Sequence, residues 1–137
     1  LYYPFYNGDS KTSIQTMDKI ASKFVDEKTL IKQDATGLKR YFGIDVVETD
    51  GFVLYTSKSM MGVDEVLIIK LKANDKGKKL YHAVENRIDK QKKNFDGYGT
   101  NQTELLNNKQ LFIKKGYLFY GVAKQVDTWK NCFQDAL

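Results

Sequence analysis

The sequence predicts a single α+β domain in which one antiparallel sheet of four strands carries amphipathic helices on one face. The main observation is a change of hydrophobic period. From Gly51 onward the pattern alternates between strand and helix spacing, in the order strand, strand, helix, strand, strand, helix. The chain has 137 residues, of which 42% are apolar. This is enough for one hydrophobic core and is typical of one domain.

The N-terminal part predicts an irregular lead-in followed by two helices. Residues 1–12 contain Pro4 and the turn-forming run Asn-Gly-Asp-Ser, so we assign them to a lead-in or linker and residues 13–137 to the domain. Apolar residues at intervals of three and four, preceded by a Ser or Thr cap, predict a helix over about 13–25. A short second helix is expected over 36–42, ended by Gly43.

The two repeated units supply the sheet and the later helices. β-Branched and aromatic residues indicate the strands, whereas spacings of three and four indicate the helices. The Lys-Gly pair between the last two strands is typical of a tight hairpin. The predicted elements are, in order, strands over 51–57 and 65–72, a long helix over 76–94, a shorter helix over 101–108, strands over 111–114 and 117–122, and a final helix over 127–137.

The charge composition argues against nucleic acid as a partner. The chain has 22 Lys and Arg residues against 17 Asp and Glu residues, but only Arg40 and Arg87 are arginine. Specific readout of bases and clamping of phosphates favour the planar guanidinium group over lysine. We therefore expect no nucleic-acid partner. No apolar run approaches the roughly 18 residues that a membrane helix needs, so we predict no transmembrane segment.

The residues that usually carry catalysis or bind metals are sparse. His82 and Cys132 are the only residues of their types, and neither a zinc site nor a Cys–His pair fits that pattern. We expect no metal, no cofactor and no catalytic residue. Adjacent residues on a strand point to opposite faces, so Asp64 and Glu65 do not converge on a cleft as a catalytic pair would, and we interpret them as solvated charges at a strand edge.

Two segments form a candidate interaction surface. The first is the connection between the first two strands, whose Met60 and Met61 can line an adaptable binding surface or fold back over the sheet. The second is the end of the long helix, where cationic and aromatic residues can bind sugars or anionic polymers or simply form a solvated helix end. The candidate residues are Met60, Met61, Arg87, Lys90, Lys92, Lys93, Phe95 and Tyr98.

The same two segments carry a family resemblance. The run Ser-Met-Met-Gly-Val-Asp-Glu over 59–65, the aliphatic strand after it and the helix ending with residues 87–98 resemble the bacterial family called domain of unknown function 4358, found mostly in Gram-positive bacteria. Residues 101–106, 115–119 and 133–137 are similar to the family pattern as well. The resemblance implies an exported lipoprotein, held on the outer face of the membrane by a lipidated cysteine upstream of Leu1. The family has no assigned activity, so the resemblance carries no catalytic residue over to this chain.

The leading functional hypothesis is a non-catalytic extracellular domain at the cell surface, which binds an anionic cell-wall polymer or another surface protein. A second hypothesis is a small enzyme or enzyme inhibitor, with a site built from residues such as His82, Asp96 and Tyr98. A third is a module that assembles with a partner protein, in which case an exposed apolar patch is expected.

Overall fold

A computed structural model describes residues 8–137, so Pro4 and the rest of 1–7 in the expected lead-in lie outside the described residues. The elements follow the predicted order, with two additions in the N-terminal part, a short strand and a 3-10 turn. They are α1 (Ile14–Phe24), β1 (Leu30–Gln33), α2 (Ala35–Phe42), a 3-10 turn (Val46–Glu48), β2 (Thr49–Ser57), β3 (Glu65–Leu71), α3 (Lys78–Phe95), α4 (Thr100–Asn107), β4 (Gln110–Lys114), β5 (Tyr117–Val122) and α5 (Val126–Asp135).

The sheet has five strands within the described part of the chain, in the order β1-β2-β3-β5-β4, with every neighbouring pair antiparallel. The class α+β and the single antiparallel sheet are confirmed, but the prediction of four strands is wrong. The extra strand, β1, has four residues and pairs with β2 at the sheet edge. Only Leu30 of this strand is buried, so its sequence gives too few alternations to predict a strand.

Helices cover both faces of the sheet, and the expectation that they lie on one face is wrong. On one face α2, α3 and α4 pack against the sheet through residues such as Leu38, Val84 and Leu106. On the other face α1 and α5 pack through residues such as Met17 and Trp129. The physical reason is that β3 is apolar and buried at consecutive positions from Val66 to Ile69. Such a strand needs cover on both faces.

Local signals set the ends of several elements. Ser13 caps α1 by accepting a hydrogen bond from the backbone of Thr16, as the sequence predicts. Gly43, with φ of 67°, ends α2 in the left-handed conformation expected of it. Lys115 and Gly116 also have positive φ, 51° and 82°. They form the predicted tight turn between β4 and β5.

The two ends of the sheet carry different connections. The β2–β3 loop, residues 58–64, lies where β3 begins, whereas the β4–β5 turn lies where β3 ends, because Lys70 pairs with Tyr117. Seven residues of β3 separate these ends by about 20 Å. At the turn end, residues 10–12 lie against the β4–β5 turn and residue 136, and we call these three residues the strap. Its Ser10 amide donates to the Lys115 carbonyl oxygen at 2.7 Å, and its Thr12 carbonyl accepts from the Tyr117 hydroxyl at 2.6 Å.

Candidate functional site

A cleft of about 460 Å³ opens at the β2–β3 end of the sheet. We call it the loop cleft. Its floor comes from the sheet, its walls from α2 and α3, and its rim from the β2–β3 loop. The residues that line it are Arg40 and Tyr41 of α2, Thr56, Ser57 and Glu65 of the sheet, Arg87 and Gln91 of α3, and Lys58, Ser59, Met60 and Gly62 of the loop.

A buried ion pair forms the floor of the loop cleft. Arg87 donates from Nη2 to Oε1 of Glu65 at 2.8 Å and from Nε to Oε2 at 3.1 Å, which is a bidentate arrangement. The hydroxyl of Tyr120 donates to Oε2 of Glu65 at 2.8 Å. Glu65 is 1% exposed, and the side chain of Arg87 is 12% exposed. Three hydrogen bonds therefore satisfy a carboxylate that water does not reach.

The sequence positions of the pair follow from strand and helix geometry. Glu65 shares the alternating face of β3 with Leu67 and Ile69, which pack against α2, α3 and α4. Arg87 precedes Ile88 and lies four residues before Gln91, on the buried side of α3. The interpretation of Glu65 as a solvated edge charge is therefore wrong. Arg87 was predicted on the surface, but most of its side chain is buried under α2.

The surroundings of Arg87 and Tyr120 fix their protonation. The guanidinium carbon of Arg87 lies 5.4 Å from the ring centre of Tyr41 and 5.5 Å from that of Phe42. Burial lowers the pKa of Arg87, but hydrogen bonds to Glu65 and its charge outweigh that effect, so the pKa lies above its ordinary value. Burial, reinforced by Glu65, raises the pKa of Tyr120 well above its ordinary value. At neutral pH, Arg87 is charged and Tyr120 keeps its proton.

Three hydroxyl groups of the cleft are used as acceptors. The Ser57 Oγ accepts from the Ser59 amide at 3.2 Å, and the Ser59 Oγ accepts from the Met61 amide at 3.1 Å. The Thr56 Oγ1 accepts from the Gln33 side chain at 2.9 Å. None of the three hydroxyl protons is donated to another atom of residues 8–137. Each hydroxyl therefore keeps its proton for a further acceptor.

A close approach of backbone and side chain shapes the rim. A Cβ on Gly62 would lie 2.0 Å from the Oγ of Ser57 and 2.8 Å from its Cβ. Only glycine fits this position unless Ser57 moves. The neighbouring Met60 is 98% exposed at the rim, so the alternative in which this methionine packs over the sheet is wrong. Met61 is also exposed, and its carbonyl accepts from the Gln102 side chain at 3.0 Å.

The structure does not gather the eight predicted surface residues into one patch. Met60 and Arg87 line the loop cleft, but Lys92 lies in a separate groove beside Leu111. Phe95 is a core residue, and its prediction as a surface residue is wrong because it continues the buried stripe of α3. Lys90 and Lys93 are exposed on α3, and Tyr98 is exposed with its hydroxyl donating to the Asn94 carbonyl.

The three residues suggested for an enzymatic site do not meet. Asp96 and Tyr98 lie at the C-terminal end of α3, whereas His82 lies about four helical turns, or roughly 20 Å, away. His82 is exposed, and its Nδ1 lies 3.7 Å from a carboxylate oxygen of Glu85. Cys132 is half-buried on α5, at the opposite face of the sheet from α3. Within residues 8–137 no cluster of three His, Cys, Asp or Glu side chains is arranged to hold a metal ion.

These features define the class of the protein as a three-layer α+β domain with a cationic cleft at one end of its sheet. Among the described residues, no helix combines the length and the apolar character needed to cross a bilayer.

Comparison with known families agrees with the resemblance seen in the sequence. A family model described as "Domain of unknown function (DUF4358)" matches residues 23–123, and the chain belongs to this family. The matched range begins within α1 and ends after β5, so it includes the whole lining of the loop cleft. No curated protein and no solved structure matches the chain.

Proposed function

We propose that this chain is a non-catalytic binding domain displayed outside the cell, and that the loop cleft is its ligand site. The observation that carries the proposal is the state of Glu65. Its carboxylate receives three hydrogen bonds from Arg87 and Tyr120. An acid, base or nucleophile must be free to exchange a proton or to attack. Glu65 is occupied, so the cleft is suited to holding a ligand rather than transforming it.

The two ends of the sheet suit the orientation that a domain anchored at the cell surface would need. Residues 10–12 lie at the β4–β5 end, and the loop cleft lies at the β2–β3 end. We propose a lipid anchor on a cysteine upstream of Leu1, as the family resemblance implies, in a Gram-positive bacterium. A chain held from its N-terminal side would present the loop cleft away from the membrane, toward the cell wall.

The location is tested by labelling. Antibodies raised against the domain would be applied to intact cells and to lysed cells of the source bacterium, with a cytoplasmic protein as the control. Equal labelling of intact and lysed cells is the expected result. Labelling that requires lysis would contradict an extracellular location.

The site is tested with isolated cell walls. Met60→Glu places a negative charge at the rim of the loop cleft, and Val47→Glu places the same charge on another exposed apolar position, in the 3-10 turn. We expect sedimentation of the domain with cell walls to fall about tenfold for Met60→Glu and to stay unchanged for Val47→Glu, because the added charge repels an anionic ligand only at the cleft. Equal binding by both variants would show that the loop cleft is not the site.

A further inference from the structure

We infer that the loop cleft binds a phosphate group, through the side chains of Arg40 and Lys58 and the unused hydroxyl protons of Thr56, Ser57 and Ser59. This inference rests on the proposed function, since it names the ligand chemistry of the same cleft. It goes further in assigning a single compact anionic group to the cleft, in place of general attraction between a basic protein and an acidic polymer.

The charges of the lining favour an anion. Arg40, Lys58 and Arg87 are cationic, and Glu65 is the one carboxylate among the lining residues. The charge of Glu65 is matched by Arg87. Arg40 and Lys58 form no ion pair with any carboxylate of residues 8–137 and are exposed at the mouth of the cleft. An anion that enters meets two uncompensated positive charges, which lowers its free energy there.

The hydrogen-bonding groups favour phosphate. The hydroxyls of Thr56, Ser57 and Ser59 already accept hydrogen bonds, so the part left to a ligand is the donating proton. These three donors stand beside two cationic side chains, which also only donate. A phosphate presents more acceptor oxygens than a carboxylate and matches guanidinium and hydroxyl donors. The cleft therefore offers a donor-rich lining that a phosphate satisfies more completely.

A buried amide provides an independent observation. Gln91 is 7% exposed and lines the cleft one helical turn beyond Arg87. Its Oε1 accepts a long hydrogen bond, 3.4 Å, from the Asn94 side chain. Its Nε2 donates to no acceptor within the described residues. Among the described residues Trp129 Nε1 is the one buried side-chain polar atom without a partner, so the Gln91 Nε2 is open to solvent at the cleft and free to donate to a ligand. A phosphate oxygen in the cleft would accept that hydrogen bond.

The ion pair beneath the cleft keeps the Arg87 guanidinium in place before a ligand arrives. Arg87 is held by Glu65 and by contacts with the rings of Tyr41 and Phe42. Its Nη1 is not used by Glu65 and remains a donor on a fixed side chain. Fixed donors bind an anion without the entropic cost of ordering flexible ones.

The rim indicates that the phosphate is an ester. Met60 is almost fully exposed at the cleft mouth, and Tyr41 is half-buried in its wall. These side chains would contact the organic part of a ligand rather than an inorganic ion. The shared chemistry is a phosphate ester, carried either by a small molecule or by a polymer of the cell wall.

The test is an NMR titration of the ¹⁵N-labelled domain with four probes at equal ionic strength. The probes are acetate, inorganic phosphate, glycerol 3-phosphate and poly(glycerol phosphate). We expect the phosphate probes to shift the amides of residues 57–62 and the side-chain signals of Gln91 and Arg87, at concentrations where acetate shifts none. The tighter of the two esters identifies the source as monoester or polymer. Equal shifts with acetate would overturn the inference.

Matched variants complete the test. Arg40→Gln with Lys58→Gln removes the two uncompensated charges of the cleft, and Lys90→Gln with Lys93→Gln removes two exposed charges of α3 outside it. We expect the dissociation constant for the better ester to rise at least tenfold in the first variant and less than twofold in the second. Equal weakening would show diffuse attraction and overturn the inference.

The experiments distinguish a failure of the phosphate assignment from a failure of the cell-surface binding function. Wall binding that depends on Met60 without any response to phosphate esters would remove the phosphate assignment and leave the binding function. If phosphate esters shift the NMR signals of the cleft residues, but the domain does not bind cell walls and intact cells are not labelled, the ligand chemistry is supported and the cell-surface function is removed.

Discussion

The two ends of the sheet satisfy their polar groups in different ways. At the strap end, side chains and backbone pair with each other: Ser10 donates to Lys115, Tyr117 donates to Thr12, and the Thr12 hydroxyl donates to the Ala136 carbonyl. At the loop cleft, Thr56, Ser57 and Ser59 accept hydrogen bonds but donate none within the described chain. One end uses its hydrogen-bonding capacity internally, and the other keeps donors available.

The difference indicates that one end of the sheet contributes to stability and that the other end binds the ligand. Exposed connections placed on a rigid scaffold commonly carry binding, whereas paired ends contribute stability. At the cleft end the scaffold is the buried pair of Glu65 and Arg87, which lines the same cleft as Thr56 and Ser57 of β2 and Ser59 of the β2–β3 loop. Stability and binding should therefore respond to different substitutions at the two ends.

The largest expected effect concerns the buried pair. Arg87→Met keeps most of the apolar volume but leaves the Glu65 carboxylate buried with only Tyr120 as a partner. We expect a loss of about 3–5 kcal/mol in the free energy of unfolding at pH 7, measured by urea denaturation. The control, Arg40→Met at the exposed rim, should change that free energy by less than about 0.5 kcal/mol. Similar losses in the two variants would contradict the structural role of Arg87.

The next effect concerns the shape of the rim. In Gly62→Ala the new methyl group would meet Ser57 at 2.0–2.8 Å, so we expect a loss of about 1–3 kcal/mol. The same substitution made in a Ser57→Gly background should cost less, because the clashing side chain is absent. Chemical denaturation of the four proteins in this double-mutant cycle measures the coupling. Additive losses would show that the clash does not determine the loop geometry.

A smaller effect is expected at the strap end. Tyr117→Phe removes the hydrogen bond to the Thr12 carbonyl and should cost about 1 kcal/mol. Burial raises the pKa of Tyr117 to about 12, so this hydrogen bond persists at mildly alkaline pH. In Tyr117→Phe we also expect faster amide exchange at Ser10 and unchanged ligand binding at the loop cleft. Tyr81→Phe is the control, since the Tyr81 hydroxyl has no acceptor in residues 8–137. An equal loss in the free energy of unfolding in this control would show that the hydrogen bond from Tyr117 to Thr12 does not contribute to stability.

The smallest effect is a pH-dependent gain at Asp64. Burial, with a contribution from the charge of Glu65, raises the pKa of the Asp64 carboxyl. A raised pKa in the folded state means that protonation of Asp64 favours folding at low pH, and that this stability is lost as pH rises through the folded pKa. Asp64→Asn removes the ionised form, so we expect a gain below about 1 kcal/mol at pH 7, because the group is partly solvated. The gain should shrink as the pH falls below the folded pKa of Asp64. Thermal unfolding at pH 7 and at pH 4 checks this, and a loss at pH 7 would be inconsistent with the raised pKa.

Much of the fold could be predicted because periodicity marks long elements clearly. The stripe Leu80, Val84, Ile88 predicts α3, and the alternation of period predicts the two hairpins. The helix cover on both faces was missed, although the apolar run from Val66 to Ile69 indicates a strand buried on both sides. Strand β1 could not be predicted, because its pairing with β2 depends on tertiary contacts rather than on its own four residues.

The candidate site could be predicted only in part. Met60 and Arg87 were identified, but as parts of two separate surfaces. Glu65 was misread, although its place in the alternation with Leu67 and Ile69 puts it on a buried face, where a carboxylate needs a partner. The meeting of Arg40, Lys58 and Arg87 could not be predicted, since these residues lie on different elements and come together only through the packing of α2 and α3 over the sheet.

Amide hydrogen exchange at both ends of the sheet, with and without saturating phosphate ester, tests directly whether the loop cleft is the ligand site. If the loop cleft is the ligand site, exchange should slow several-fold at residues 57–62 and stay unchanged at residues 10–12 and at Lys115 and Gly116. Slower exchange at the strap end, or equal slowing at both ends, would show that the ligand does not bind specifically at the loop cleft.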